Sequence, residues 1–196
     1  MFHNIPEQIK KRMKYLEQLD SEDRIDGTPR MERLRQVPPT TGKFISFMAV
    51  CAPQGEFLEV GTSAGYSALW ISLACQLHNT KLITFEILKE KAKLAKKTFE
   101  LTNTTRNIEL IEGDARKYIP EYNNIAFCFL DAEKEVYEDC YDLLIPNMVR
   151  GGILVADNAI NHYKTLKPML EKALSDNRID ALIAPIGKGE LICRKI

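Results

Sequence analysis

The chain of 196 residues lacks the frameworks that cysteine and histidine usually announce. Its five cysteines, at 51, 75, 128, 140 and 193, include no Cys-x-x-Cys pair, and its three histidines form no cluster at zinc spacing. Most of the cysteines lie in apolar stretches such as Ala126-Phe127-Cys128-Phe129-Leu130, where a reduced thiol behaves as a small hydrophobe. A reducing, cytoplasmic setting is the expectation. Charge of one sign is also missing. The 27 Lys and Arg residues balance the 27 Asp and Glu residues, so no bulk field points to nucleic acid or to an anionic membrane. Met1 to Lys14 contains no apolar core of a secretory signal. The longest charge-free segment of substantial apolar content, Val60 to Thr80, carries Gly, Ser, Asn and Thr and reads as strand, loop and buried helix, not as a membrane span. There is no internal repeat and no low-complexity tract.

What remains is the balance of a globular domain, 45% apolar and 28% charged, in a length that suits one α/β domain and not two. Ile5, Ile9, Met13, Leu16 and Leu19 recur at helical spacing within residues 4–20 and predict a surface amphipathic helix. Asp20 to Pro39, rich in charge, Gly and Pro, reads as a connector, and a second helix is predicted from Thr40 to Ala52. Residues 1–55 thus form a helical cap on a core of 56–196. In that core short apolar runs alternate with longer amphipathic ones. Strands are predicted at 57–60, 82–85, 108–111, 125–130, 153–156, 181–184 and 191–193. Helices are predicted at 66–77, 88–100, 136–148 and 166–174. Such alternation gives a mostly parallel sheet covered on both faces. Only Pro185 to Glu190 separates the last two strands, too little for a crossover helix, so they should pair as an antiparallel hairpin. A parallel sheet ending in a hairpin is the class I methyltransferase pattern, a Rossmann-like fold of seven strands.

Ligands of open α/β sheets gather at the carboxyl ends of the strands. After the first strand, Gly61 and Gly65 permit a tight turn and close approach of a ligand to the backbone. The spacing is Gly-x-x-x-Gly, neither the dinucleotide fingerprint nor a phosphate loop. Glu86 closes the second strand, where an acidic side chain can accept both ribose hydroxyls or simply cap a helix. Asp114, after the third strand, suits an adenine amino group and equally a helical cap. The fourth strand ends in Asp131-Ala132-Glu133-Lys134 and the fifth in Asp157-Asn158. If these strands are neighbours, two carboxylates and an amide oxygen meet, a donor set for a hard divalent cation such as Mg²⁺. Capping by Asp131 and an Asx turn at Asp157-Asn158 are the structural alternatives. Lys134, three residues beyond Asp131, could reach the same place and act as a general base. Gly187-Lys188-Gly189-Glu190 reads as a turn and nothing more.

As an ordered set, Phe57-Leu58-Glu59-Val60-Gly61-Thr62-Ser63-Ala64-Gly65-Tyr66-Ser67, Phe85-Glu86, Gly113-Asp114-Ala115, Asp131-Ala132-Glu133-Lys134 and Asp157-Asn158 resemble the catechol and caffeoyl-coenzyme A O-methyltransferase family, including its small bacterial and archaeal members. The resemblance runs from Gln36 to the C-terminus. It implies an S-adenosylmethionine-dependent enzyme in which Glu59, Gly61, Ser63 and Ser67 hold the methionine portion with Val37 nearby, Gly65 being a further cofactor-binding residue of the same turn. Glu86 would then bind the ribose, and Asp114 and Ala115 the adenine. It further implies Asp131, Asp157 and Asn158 as ligands of a divalent metal, Asp131 also lying near the cofactor's amino group. Lys134 would be the base toward a hydroxyl-bearing small molecule, and a homodimer the assembly. Two departures bear on the acceptor. Only Ala159 to Lys164 separates Asp157-Asn158 from the next helix, a loop that is longer in many relatives. Ala132-Glu133 also lacks the aromatic residue of the animal catechol enzymes. A metal-independent methyltransferase, an NAD-dependent oxidoreductase and a non-catalytic binding module are the rival readings. The glycine spacing and terminal hairpin weigh against the oxidoreductase, and the Asp131/Lys134/Asp157/Asn158 set against a mere binder.

Overall fold

A computed structural model describes all residues from Met1 to Ile196. The helices are α1 (Glu7–Asp23), α2 (Pro39–Cys51), α3 (Tyr66–His78), α4 (Lys89–Leu101), α5 (Tyr137–Asn147) and α6 (Tyr163–Ser175). The strands are β1 (Glu56–Val60), β2 (Leu82–Glu86), β3 (Ile108–Glu112), β4 (Ile125–Leu130), β5 (Met148–Ala156), β6 (Ile179–Ala184) and β7 (Glu190–Lys195). They form one seven-stranded sheet in the order β3-β2-β1-β4-β5-β7-β6. Only the pairs made by β7 are antiparallel, as the short Pro185–Glu190 connection requires. No helix is long and apolar enough to cross a membrane.

Period-two alternation divides the core. Phe57, Phe127 and Phe129 face α1, α2, α3 and α4, whereas Leu58, Cys128 and Leu130 face α5 and α6. Each of these three phenylalanines is fully buried, which stabilises the fold by about 2 kcal/mol apiece relative to exposure. Helix α3 is buried along Tyr66–Cys75 because α2 covers its outer side. There Gly42 permits the closest approach: a Cβ would lie 2.4 Å from the Trp70 indole.

The boundaries depart from the sequence reading mainly around β5. Gly151-Gly152 invites a break, yet the strand runs from Met148 and absorbs the irregularity as a register shift opposite Ile125 and Phe127. Helix α5 begins at Tyr137 because Lys134–Val136 form a 3-10 turn first, and α1 continues through Asp23 into the predicted connector. After β1 the chain builds outward through β2 and β3, then returns to place β4 on the other side of β1. That reversal opens a crevice at the carboxyl ends of β1 and β4.

Candidate active site

The crevice is a cleft of about 440 Å³, of the size that holds a cofactor-sized molecule. Its floor is the turn after β1. Gly61 and Gly65 have φ of 98° and 87°, and Ser63 shares the left-handed region at 48°. A Cβ on Gly61 would stand 2.2 Å from the Asp131 carbonyl oxygen, so only glycine lets the β1 turn and the end of β4 touch. Gly65 serves packing instead: its Cβ would meet the Phe99 ring at 2.7 Å, and it does not line the cleft.

Most of the predicted binding residues meet there. Gly61, Ser63, Ser67 and Glu86 line the cleft, as does Val37 from the connector. Asp114, Ala115 and Asp131 complete the opposite wall. Glu86 accepts hydrogen bonds from the backbone N–H groups of Ser63 (2.7 Å) and Leu88 (2.9 Å), which aims its carboxylate along the β1 turn. Asp114 takes the capping alternative, accepting from Arg116 N at 3.1 Å while its carboxylate also pairs with the Arg116 guanidinium. Glu59 is not in the wall. It is wholly buried beneath it, accepts from Thr84 Oγ1 at 2.5 Å, and leaves Oε1 without a partner. Burial pushes its carboxyl up to about 8.

At the reacting end, β4 and β5 are neighbours with Leu130 opposite Ala156, so Asp131 and Asp157 leave adjacent strands side by side. Asp157 N donates to Leu130 O at 3.0 Å. Asp131 and Asn158 reach the cleft, whereas Asp157 is fully buried behind it. No Asx turn forms. Asn158 takes φ 74°, and its backbone N–H and side-chain amide both donate to the Asp157 carboxylate. Lys134 Nζ donates to Asp131 Oδ1 (3.1 Å), Ala132 O (2.8 Å) and Tyr137 Oη (2.8 Å). No three His, Cys, Asp or Glu side chains are grouped to hold a metal.

Two neighbours of this cluster escape the sequence reading. Tyr137, buried at the start of α5, donates to Leu130 O and Asp157 O (both 3.2 Å) and so ties the two strand ends together. Glu190, at the start of β7, is buried against Asp157 and accepts from Thr41 Oγ1 at 3.3 Å. Burial, then the facing carboxylates, raises the proton affinity of both Asp157 and Glu190. The available signal was a charged residue opening an apolar strand. Over the cleft, the connector is pinned by Ser63 Oγ to Leu34 O (2.8 Å), Lys91 Nζ to Arg33 O (2.8 Å) and Arg35 to Glu133 (2.5 Å).

The sequence profile of the O-methyltransferase family matches residues 7–196. The chain is 30% identical over 135 residues to a catechol O-methyltransferase of Niastella koreensis, an alignment covering 66% of this chain but only 61% of that protein. With a caffeoyl-CoA O-methyltransferase of Medicago sativa it shares 27% identity over 180 residues, 79% of this chain and 72% of the relative. Its fold matches that of a Bacillus cereus O-methyltransferase solved in complex with SAH, with a TM-score of 0.80, 19% identity, and coverage of 95% and 91% of the two chains. A glycine turn, a cofactor-sized cleft at the sheet's reversal point and a match over nearly the whole length agree: the chain belongs to the O-methyltransferase family.

Proposed function

We propose that the chain moves the methyl group of S-adenosylmethionine onto one hydroxyl of a vicinal-diol aromatic small molecule, with Asp131, Asp157 and Asn158 holding a divalent cation, Mg²⁺. The observation that carries this reading is the meeting of Asp131 with Asp157-Asn158 beside the glycine turn of the same cleft. The donors fit such a cation on chemical grounds. Asp157 and Glu190 are buried against one another with the charge of Asp131 facing both, and Lys134 is the one ammonium in hydrogen-bond contact with Asp131. Buried carboxylates in excess of their counter-charges favour a cation, and oxygen donors favour a hard one. The names of the relatives, catechol and caffeoyl-CoA O-methyltransferase, support a diol acceptor.

In this reading Glu86 receives the ribose hydroxyls, Asp114 and Ala115 flank the adenine, and Gly61, Ser63, Ser67 and Val37 surround the methionine portion. Gly65 shapes the turn. Glu59, with an unpartnered buried oxygen, supports the turn from below and offers that oxygen as a hydrogen-bond acceptor toward the methionine ammonium. The bound cation would lower the pKa of an acceptor hydroxyl and fix its orientation. Lys134 takes the hydroxyl proton, once it has itself released one from the hydrogen-bonded ammonium. As the new O–CH₃ bond forms, the S–CH₃ bond breaks and leaves the thioether. Tyr137 holds the β4 and β5 ends at fixed separation, so positioning contributes much of the acceleration.

The test is an acceptor panel of catechols, hydroxycinnamoyl thioesters and flavonoids with labelled S-adenosylmethionine, run with Mg²⁺ and with strong chelator. Methylation of a vicinal diol that chelation abolishes is the expected result. Undiminished transfer under chelation would replace this reading with metal-independent transfer on the same fold.

A further inference from the structure

The Gly187-Lys188-Gly189-Glu190 turn is built to present a side chain to the cleft. Gly187 and Gly189 have φ of 56° and 94°, and Cβ atoms there would lie 2.1 Å from Thr41 Oγ1 and 2.6 Å from Ile160 N. These glycines let the hairpin tip wedge between α2 and the loop that carries Asn158. The Lys188 carbonyl accepts from Ile160 N (3.3 Å) and Asn161 N (3.1 Å), and Gly189 O accepts from Ala159 N (2.8 Å). The backbone of Lys188 is therefore clamped to the loop leading to His162, and its side chain lines the acceptor end.

The cations around the cleft differ in what they hold. Arg24, Arg35, Arg116 and Lys134 each pair with a carboxylate, and Lys91 donates to a backbone carbonyl. Arg30 and Lys188 line the same cleft, yet neither side chain makes an ion pair or a hydrogen bond within the protein. His162 lines the cleft with them. The nearby Glu133 is already occupied by Arg35. Lys188 and Arg30 thus both line this end of the cleft without a hydrogen-bonded or ion-paired partner in the protein.

We propose that the methyl acceptor carries a carboxylate close to its hydroxyl-bearing ring, and that Lys188 and Arg30 receive this carboxylate beside His162. The inference rests on the function proposed above and narrows its substrate class to anionic diols. Fixing Lys188 on a clamped turn reduces the ordering cost of that contact, and charge-assisted hydrogen bonds give it strength.

The test compares 3,4-dihydroxybenzoate with 3,4-dihydroxybenzamide, which share the diol and differ in one charge, in the full chain and in Lys188→Gln and Arg30→Gln. Turnover is read with Mg²⁺ and S-adenosylmethionine. Binding is read by calorimetry on protein saturated with S-adenosylhomocysteine and Mg²⁺. The wild type should show a KM and a Kd about tenfold lower for the benzoate, the scale of one charge-assisted contact. Each substitution should bring the ratio of the two KM values close to one. Equal KM and Kd in the wild type, or a preference that survives both substitutions, would overturn the inference. Preferential binding of the benzoate without methylation of either compound would overturn the proposed reaction and leave the anion site standing. Binding of neither compound would overturn both.

Discussion

In the proposed reaction Lys134 is the residue on which the chemistry turns. All three of its protons are directed, to Asp131, Ala132 and Tyr137, so its position is fixed before any acceptor arrives. Lys134→Ala is expected to lower kcat by about 10²-fold or more, the usual range for losing a positioned base. Calorimetry should find S-adenosylhomocysteine binding unchanged. An undiminished kcat would remove Lys134 from the mechanism. Gly61 makes a different kind of prediction. Gly61→Ala places a methyl against the Asp131 carbonyl at a positive φ, a cost of about 1–3 kcal/mol that thermal unfolding will read. At this scale the strand-end positions legible in the sequence lead to one place: Glu86, Asp131, Lys134 and Asn158 all reach the cleft. Sequence served poorly where position alone gives meaning. Glu59 carries a motif and lies beneath the wall, while Lys188 and Arg30 carry none and line it.

The connector between α1 and α2 forms part of the cleft wall. Composition marks residues 20–39 as a linker, but its ordering comes from side chains distant in sequence. The end of α1 supplies part of it: Asp23 Oδ2 accepts from Leu34 N at 2.6 Å, and Asp20 from Gln36 N at 3.0 Å. Arg35 adopts a φ of 52° to reach Glu133, which a non-glycine residue accepts only under such constraint. Asp23→Ala would leave the buried Leu34 N–H unpaired, at a cost of about 1–3 kcal/mol. We expect weaker S-adenosylmethionine binding as well as a lower Tm. Unchanged affinity would show that the connector is not part of the cofactor site. Strands were easier to read than this strap, because alternation along β1 and β4 is written locally. The continuation of β5 through Gly151-Gly152 was not, since a neighbouring strand's register decides it.

Across the whole molecule, the buried carboxyls set how stability varies with pH. Glu59 moves from 4.5 in an exposed setting to about 8 in the fold, and Asp157 and Glu190 move upward for the same reason, burial. The native protein then holds protons that the unfolded chain releases, so stability falls as pH rises from about 4.5 to about 8. Asp176 works the other way. Arg178 holds its carboxyl well below the usual range, so its contribution is lost as pH falls through the acid region. In chelator, Tm should therefore be higher at pH 6 than at pH 9, and Glu59→Gln should flatten that slope. A Tm that climbs toward pH 9 would contradict the buried-proton account.

The same crowding of carboxyls leads to the most direct test of the site. Protein saturated with S-adenosylhomocysteine should be titrated with Mn²⁺, and the free ion followed by electron paramagnetic resonance. One site per chain is the expected result, lost in Asp157→Ala while S-adenosylhomocysteine still binds. No specific uptake of the ion, or uptake that Asp157→Ala leaves intact, would contradict the assignment of Asp131, Asp157 and Asn158 as its ligands.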